Sequence, residues 1–255
     1  MKINIMTLQS TKTVRELALE IPGATRIFEK LGIDYCCGGG KSLEQACAAR
    51  ALSTQDVILK LEEEVEKPAT LEADSAADVS SMTLTGLTAY IIDKHHVFTR
   101  HELVRLDALM NKVCSVHGQN HKELLGLQSL LRELSADLSP HMLKEEMVLF
   151  PYIVRMEEAA RDDRASFVPP PFMTVRNPVR MMSLEHDTAG DLLRRMREAS
   201  ADYAVPVDAC ISYRTLYQAL EELERDLHRH IHLENNILFP RAIAMEDALN
   251  ARQHS

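Results

Sequence analysis

The segment HMLKEEMVLFP, residues 141–151, returns in altered form as HIHLENNILFP at 230–240. Both carry His, then Glu four positions later, then Leu-Phe-Pro at the same offsets. A single His-x-x-x-Glu decides nothing, because 11 His and 23 Glu in 255 residues yield about one by chance. The shared register decides more. A lone histidine precedes each segment at a matching distance: His96 lies 45 positions before His141, and His186 lies 44 before His230. The chain therefore holds an internal duplication of about 90 residues, each copy supplying His plus His-x-x-x-Glu.

These residues fall on four stripes whose steps are all three or four. The first is Ile92, His96, Thr99, Leu103, Leu106, Met110, Val113. The second is Leu124, Leu127, Leu131, Leu134, Leu138, His141, Glu145, Val148, Tyr152. The third is Val175, Val179, Met182, His186, Ala189, Leu193, Met196. The fourth is Leu216, Leu220, Leu223, Leu227, His230, Glu234, Ile237. That rhythm predicts four helices with the stripes on their inward seams, and so a four-helix bundle over 83–255. Residues 161–178 read as the loop joining its halves, and Pro140 as a kink that the rhythm passes through.

Upstream, 1–65 reads as a small helical domain. Thr13 caps a helix from Val14, Pro22-Gly23 ends it, Ser42 with Gln45 forms a capping box, and Ser53 opens a last helix. The polar stretch 66–82 reads as a linker. Only 9 Gly and 10 Pro, with no Trp, agree with an all-α class. A hydrophobic share of 45% excludes a disordered chain. The net charge of −9 gives no general basic footprint for nucleic acid or anionic lipid. No apolar run approaches a membrane span of about 20 residues. The N-terminus lacks the apolar core of a secretory signal, so the cytoplasm is expected. The five Cys read as reduced thiols.

Apart from Thr99, the polar residues on the seams are His96, His141, Glu145, His186, His230 and Glu234. A buried carboxylate is costly unless it is paired or bound to a metal, and bundle cores are where facing helices build metal sites. Residues four apart on a helix have Cβ atoms about 5–6 Å apart, so His and Glu can grip one ion. Each half supplies two imidazoles and one carboxylate, which predicts two metals related by a pseudo-two-fold axis. A carboxylate can bridge them, and an open position remains for an exogenous ligand. Nitrogen and oxygen donors without sulfur suit iron or manganese and leave the two unseparated. His95, His101, His117, His121, His228, His232 and His254 fall off the seams or in loops and are expected to face solvent.

The pattern LGIDYCCGGG at 31–40, His96, HMLKEE with LFP, SLEHD at 183–187 and HIHLENNILFPR closely resembles the RIC family. Those are the di-iron "repair of iron centres" proteins, of the YtfE/ScdA type, which join a double-cysteine domain to a hemerythrin-like four-helix bundle. The resemblance runs from about residue 11 to 245. It implies two non-haem iron ions, oxo-bridged, held by the six residues, with Glu145 and Glu234 bridging. It also implies a homodimer that repairs damaged iron–sulfur proteins after nitrosative or oxidative stress; NO or O2 is the small ligand expected at the open metal position. Glu185, within the family's Glu-His-Asp motif, becomes a candidate outer carboxylate; a solvated Glu is the other reading.

Adjacent Cα atoms lie about 3.8 Å apart, below the usual disulfide range of about 4.4–6.8 Å. A Cys36–Cys37 bond would be strained, and the glycines at 38–40 are expected to expose both thiols. Cys36 and Cys37 could then pass on iron or react with NO-derived species; packing at a turn is the plain alternative. Cys47, Cys114 and Cys210 read as packing residues. Three functions remain in view: cluster repair by iron donation, NO reduction to nitrous oxide, and O2 or NO sensing or storage. Imidazoles near their ordinary pKa of about 6.5 predict metal loss between about pH 7.5 and about pH 5.5.

Overall fold

The computed structural model describes residues 10–21, 23–36, 38–66, 79, 81–161 and 170–253. Pro22, Cys37, His254, most of the interval 66–82 and part of the central loop lie outside the described residues. The chain divides into two units, 1–83 and 84–255.

The first unit includes the short helices α1 Val14–Glu20, α2 Ala24–Leu31, α3 Leu43–Ala49 and α4 Thr54–Glu66. Three begin where a side chain can satisfy amides that have no partner within the helix. The Thr13 hydroxyl accepts from the Glu16 N–H while the Glu16 carboxylate accepts from the Thr13 N–H. Ser42 and Gln45 repeat the arrangement, and Ser53 Oγ accepts from the Asp56 N–H. Each such cap contributes about 1 kcal/mol. Between α1 and α2 the turn needs Gly23, whose φ of +86° is left-handed. Leu17, Phe28, Leu43 and Leu61 form the core of this unit.

Four long helices make the second unit. α5 comprises Leu84–Ile91, a π-helical turn at Ile92–His96 and Val97–His117. α6 comprises Glu123–Lys144, a π-helical turn at Glu145–Leu149 and Phe150–Arg161. α7 is Arg176–Ala199. α8 comprises Ile211–Leu233, a π-helical turn at Glu234–Leu238 and Phe239–Gln253. No strand occurs among the described residues. This is an all-α, antiparallel four-helix bundle, in which α6 packs on α5 and α7 while α5 also packs on α8. Helix α6 continues through Pro140.

The π-helical turns correct the stripes at two places. Each inserts one residue, and in α5 and α6 a stripe residue within the turn loses its inward place to its neighbour, whereas in α8 Ile237 stays buried. Val148 is 46% exposed and Leu149 is buried in its stead. Likewise Ile91 is buried where Ile92 was expected, and Ile92 is half-buried. The turns in α6 and α8 immediately precede the repeated Phe-Pro: the Phe150 and Phe239 N–H groups donate five residues back, to Glu145 and Glu234 carbonyls. A proline ring clashes with the carbonyl four residues earlier in a regular α-turn. For Pro151 and Pro240 that carbonyl belongs to the widened turn.

Both halves are fastened by one buried carboxylate at the same register. Glu157 accepts from the Leu84 and Thr85 N–H groups at 2.9 and 3.0 Å, and from the Thr85 hydroxyl. Glu246, 89 positions later, accepts from the Val175 N–H at 2.8 Å, the Thr174 hydroxyl and the Tyr152 hydroxyl. These carboxylates fix the starts of α5 and α7, and with them the heights of His96 and His186.

Candidate metal centre

His96, His141, Glu145, His186, His230 and Glu234 all converge in the bundle interior, none more than 3% exposed. The imidazoles pair across the duplication rather than within a half. His96 Nε2 faces His230 Nε2 at 3.1 Å, and His141 Nε2 faces His186 Nε2 at 3.1 Å. Helix packing is the reason, since α5 lies on α8 and α6 on α7. Each carboxylate reaches the two imidazoles of its own half: Glu145 lies 3.4 Å from both His96 and His141. Glu234 lies 3.1 Å from both His186 and His230. Two groupings of donor atoms result, His96–His230 and His141–His186, and each includes both carboxylates.

The donors fit cations. Among the described residues, all four carboxylate oxygens of Glu145 and Glu234 are buried without a hydrogen-bond partner, an arrangement that proteins avoid unless an ion satisfies it. Burial, then the facing Glu234, pushes Glu145 well above the usual carboxylate range. Burial would raise Glu234 too, but the His230 and His186 imidazoles outweigh it and hold that carboxyl well below. Burial, followed by the facing imidazole, pushes His96 and His141 down to about 4. That lies below the ordinary imidazole value on which the expected metal loss by about pH 5.5 rests.

A metal-binding histidine is normally oriented by an acceptor on its other ring nitrogen. Three of the four have one. His96 Nδ1 donates to Glu146 at 2.6 Å, His141 Nδ1 to Glu185 at 2.8 Å, and His186 Nδ1 to Asn235 at 3.0 Å. Glu185 thus sits beside the cluster, its other oxygen paired with Lys144. Glu146 and Asn235 escaped the sequence reading, although their signal was present: each directly follows a cluster carboxylate. His95 and His232 are buried, 6% and 5% exposed, and correct the expectation of solvent-facing rings. Neither stood on a stripe, because the stripes admit only one residue per turn.

In the first unit, Cys36 is buried, against the expectation of an exposed thiol. The Asp34 carboxylate accepts from its N–H at 3.0 Å and from its Sγ at 3.3 Å. The loop lies against α1, whose Val14 and Arg15 N–H groups donate to Lys41 and Gly39 carbonyls. A Cβ on Gly39 would stand 2.6 Å from the Tyr35 carbonyl oxygen, so glycine is required there for close approach. The partner thiol, Cys37, lies outside the described residues.

Fold and site together define a cation-binding protein of the helical-bundle, hemerythrin kind. Residues 87–168 and 171–242 each match the hemerythrin HHE cation binding domain, and 10–65 match ScdA_N, a domain of unknown function (DUF542). A "Probable iron-sulfur cluster repair protein" of Haemophilus influenzae is 35% identical over 228 residues, 89% of this chain and 95% of the relative. "Iron-sulfur cluster repair protein YtfE" of Escherichia coli and of Shigella boydii are each 35% identical over 231 residues, 91% of this chain and 96% of theirs. The chain belongs to this family of iron–sulfur cluster repair proteins.

Proposed function

We propose that the chain holds two iron ions at the His96–His230 and His141–His186 groupings, bridged by Glu145 and Glu234, and repairs iron–sulfur clusters damaged by nitrosative or oxidative stress. The carrying observation is the set of four buried carboxylate oxygens with no hydrogen-bond partner, framed by four inward imidazole nitrogens. Bound there, iron supplies open coordination for a small ligand such as NO or O2, and itself serves as cargo for a damaged protein. The chain's own groups suit release as well as retention: imidazole and carboxylate hold iron less firmly than an all-thiolate cage. The outer partners Glu146, Glu185 and Asn235 hold three rings in position. Cys36 with Cys37 forms the proposed thiol relay, the working assembly is a homodimer, and the compartment is the cytoplasm. No helix among the described residues is long and apolar enough to cross a membrane.

The test is iron per chain and the Mössbauer spectrum of the purified protein, followed by recovery of an NO-treated [4Fe–4S] protein on addition of the loaded chain. The expected result is two iron ions per chain and restored cluster absorbance. Cys36→Ser with Cys37→Ser should keep the iron and lose the recovery. Recovery unchanged in that variant removes the thiol relay; multi-turnover nitrous oxide with no recovery replaces repair by NO reduction. Sedimentation as a monomer at micromolar concentration removes the dimer.

A further inference from the structure

The duplication gives each cluster imidazole an expected outer partner, and the fourth one is missing. In each half, the residue after the carboxylate supports the lone histidine of that half: Glu146 for His96, Asn235 for His186. Glu185, the residue before His186, supports the motif histidine of the opposite half, His141. The equivalent of Glu185 is the residue before His96, which is His95, and its task would be His230. It does not perform it. The His95 ring lies parallel to that of His230, centroids 5.7 Å apart and planes 8° from one another. Its Nδ1 turns instead to Asp226 Oδ1 at 3.0 Å. Among the described residues, His230 Nδ1 is buried without a hydrogen-bond partner.

We infer that the two cation positions are inequivalent, and that the ion between His96 and His230 is held more loosely and leaves first. His95 and Asp226 are the positioning residues that create the difference. The inference rests on the two-ion reading of the cluster. An acceptor on the outer ring nitrogen fixes the ring and raises its basicity as a ligand, and loss of such a partner typically lowers metal affinity about 10–100-fold. At His141 that acceptor is a carboxylate; at His230 a stacked imidazole stands in its place.

The experiment uses the full chain loaded anaerobically with Fe(II), freed of excess metal, and mixed with a chromophoric ferrous chelator. The native protein should release iron in two phases of equal amplitude, separated by about 10-fold or more in rate. His95→Glu installs the carboxylate that the other half already has, and should slow the fast phase toward the slow one. Glu185→Gln should accelerate only the slow phase, and it tests the assignment even if His95→Glu does not fold. Release of two ions in a single phase overturns the inference and leaves the two-ion reading intact. So does a fast phase that responds to Glu185→Gln and ignores a folded His95→Glu. Loading below two ions per chain instead sinks the two-ion reading itself.

Discussion

The first half of the bundle, α5 with α6, and the second, α7 with α8, place the same three donors at nearly the same spacing, yet they surround them differently. Among the described residues, the first has two π-helical turns and the second has one. Glu146 faces His96 where Asn235 faces His186. Glu185 supports one motif histidine, while His95 only stacks on the other. Donor type and register are what a cation cluster demands of both copies. In the proposed site the outer partners are free to diverge, because they would alter how firmly an ion is held without changing which atoms hold it.

The largest way to break the comparison is to take away what makes the halves depend on one another. A ligand present at a thousandfold its Kd stabilises a fold by about 4 kcal/mol, roughly 10 °C in melting temperature for a domain of this size. Stripping the loaded protein with a chelator should therefore lower Tm by roughly 10 °C. Calorimetry on loaded and stripped samples measures this, and equal melting temperatures would remove the cation from the fold's stability. Glu145→Ala and Glu234→Ala should bring the loaded melt close to the stripped one, to similar extents, since each carboxylate serves both groupings.

A smaller effect sharpens the contrast between Glu146 and Asn235. Glu146→Gln keeps an acceptor but removes the charge behind His96, making the first half resemble the second. Metal affinity should fall by about 10-fold, the lower end of what outer partners contribute, as read by competition with a chelator of known affinity. Asn235→Asp makes the reverse change and should tighten binding; opposite signs are the point of the pair.

The smallest effect concerns the paired fasteners, Glu157 and Glu246. Replacing either with Gln should cost about 1–2 kcal/mol, the range for a lost charged cap, visible in urea melts. For Glu157 the pH dependence has a definite sign. Burial alone would raise its carboxyl, but the Thr85 hydroxyl and the Thr85 and Leu84 amides outweigh burial and lower it. A carboxyl lower in the folded than in the unfolded state stabilises fully above its unfolded value of about 4.5. That contribution fades as pH falls through the folded value. The gap between native and Glu157→Gln melts should be full near neutrality and shrink in acid; a gap that widens in acid reverses the assignment.

The stripes located all six cluster residues because a seam residue in a regular α-helix must point inward, and charged or imidazole groups there need a partner. The third stripe is buried throughout, from Val175 to Met196, and so is the fourth, from Leu216 to Ile237, although it enters a π-helical turn. The errors at Ile92 and Val148 sit within π-helical turns, where a period of 3.6 no longer applies. Pro151 and Pro240 each directly follow the first residue after such a turn, whereas α6 passes through Pro140 without one and the α5 turn has no proline behind it. His95 was misread because a helix turn with an inserted residue can bury neighbours that a strict stripe separates. Cys36 was misread because glycines beside it suggested exposure, whereas Asp34 and the α1 amides close the loop down.

Taken alone, the sequence determined the helices, the duplication, the six polar residues that meet in the bundle interior and the family, since each is written in local spacing and residue chemistry. Tertiary structure decided that imidazoles pair across the halves, because that depends on which helices lie side by side: α5 on α8 and α6 on α7. It also decided which ring nitrogens find an acceptor. Such contacts join residues up to 134 positions apart, and no local rhythm encodes a contact over that separation.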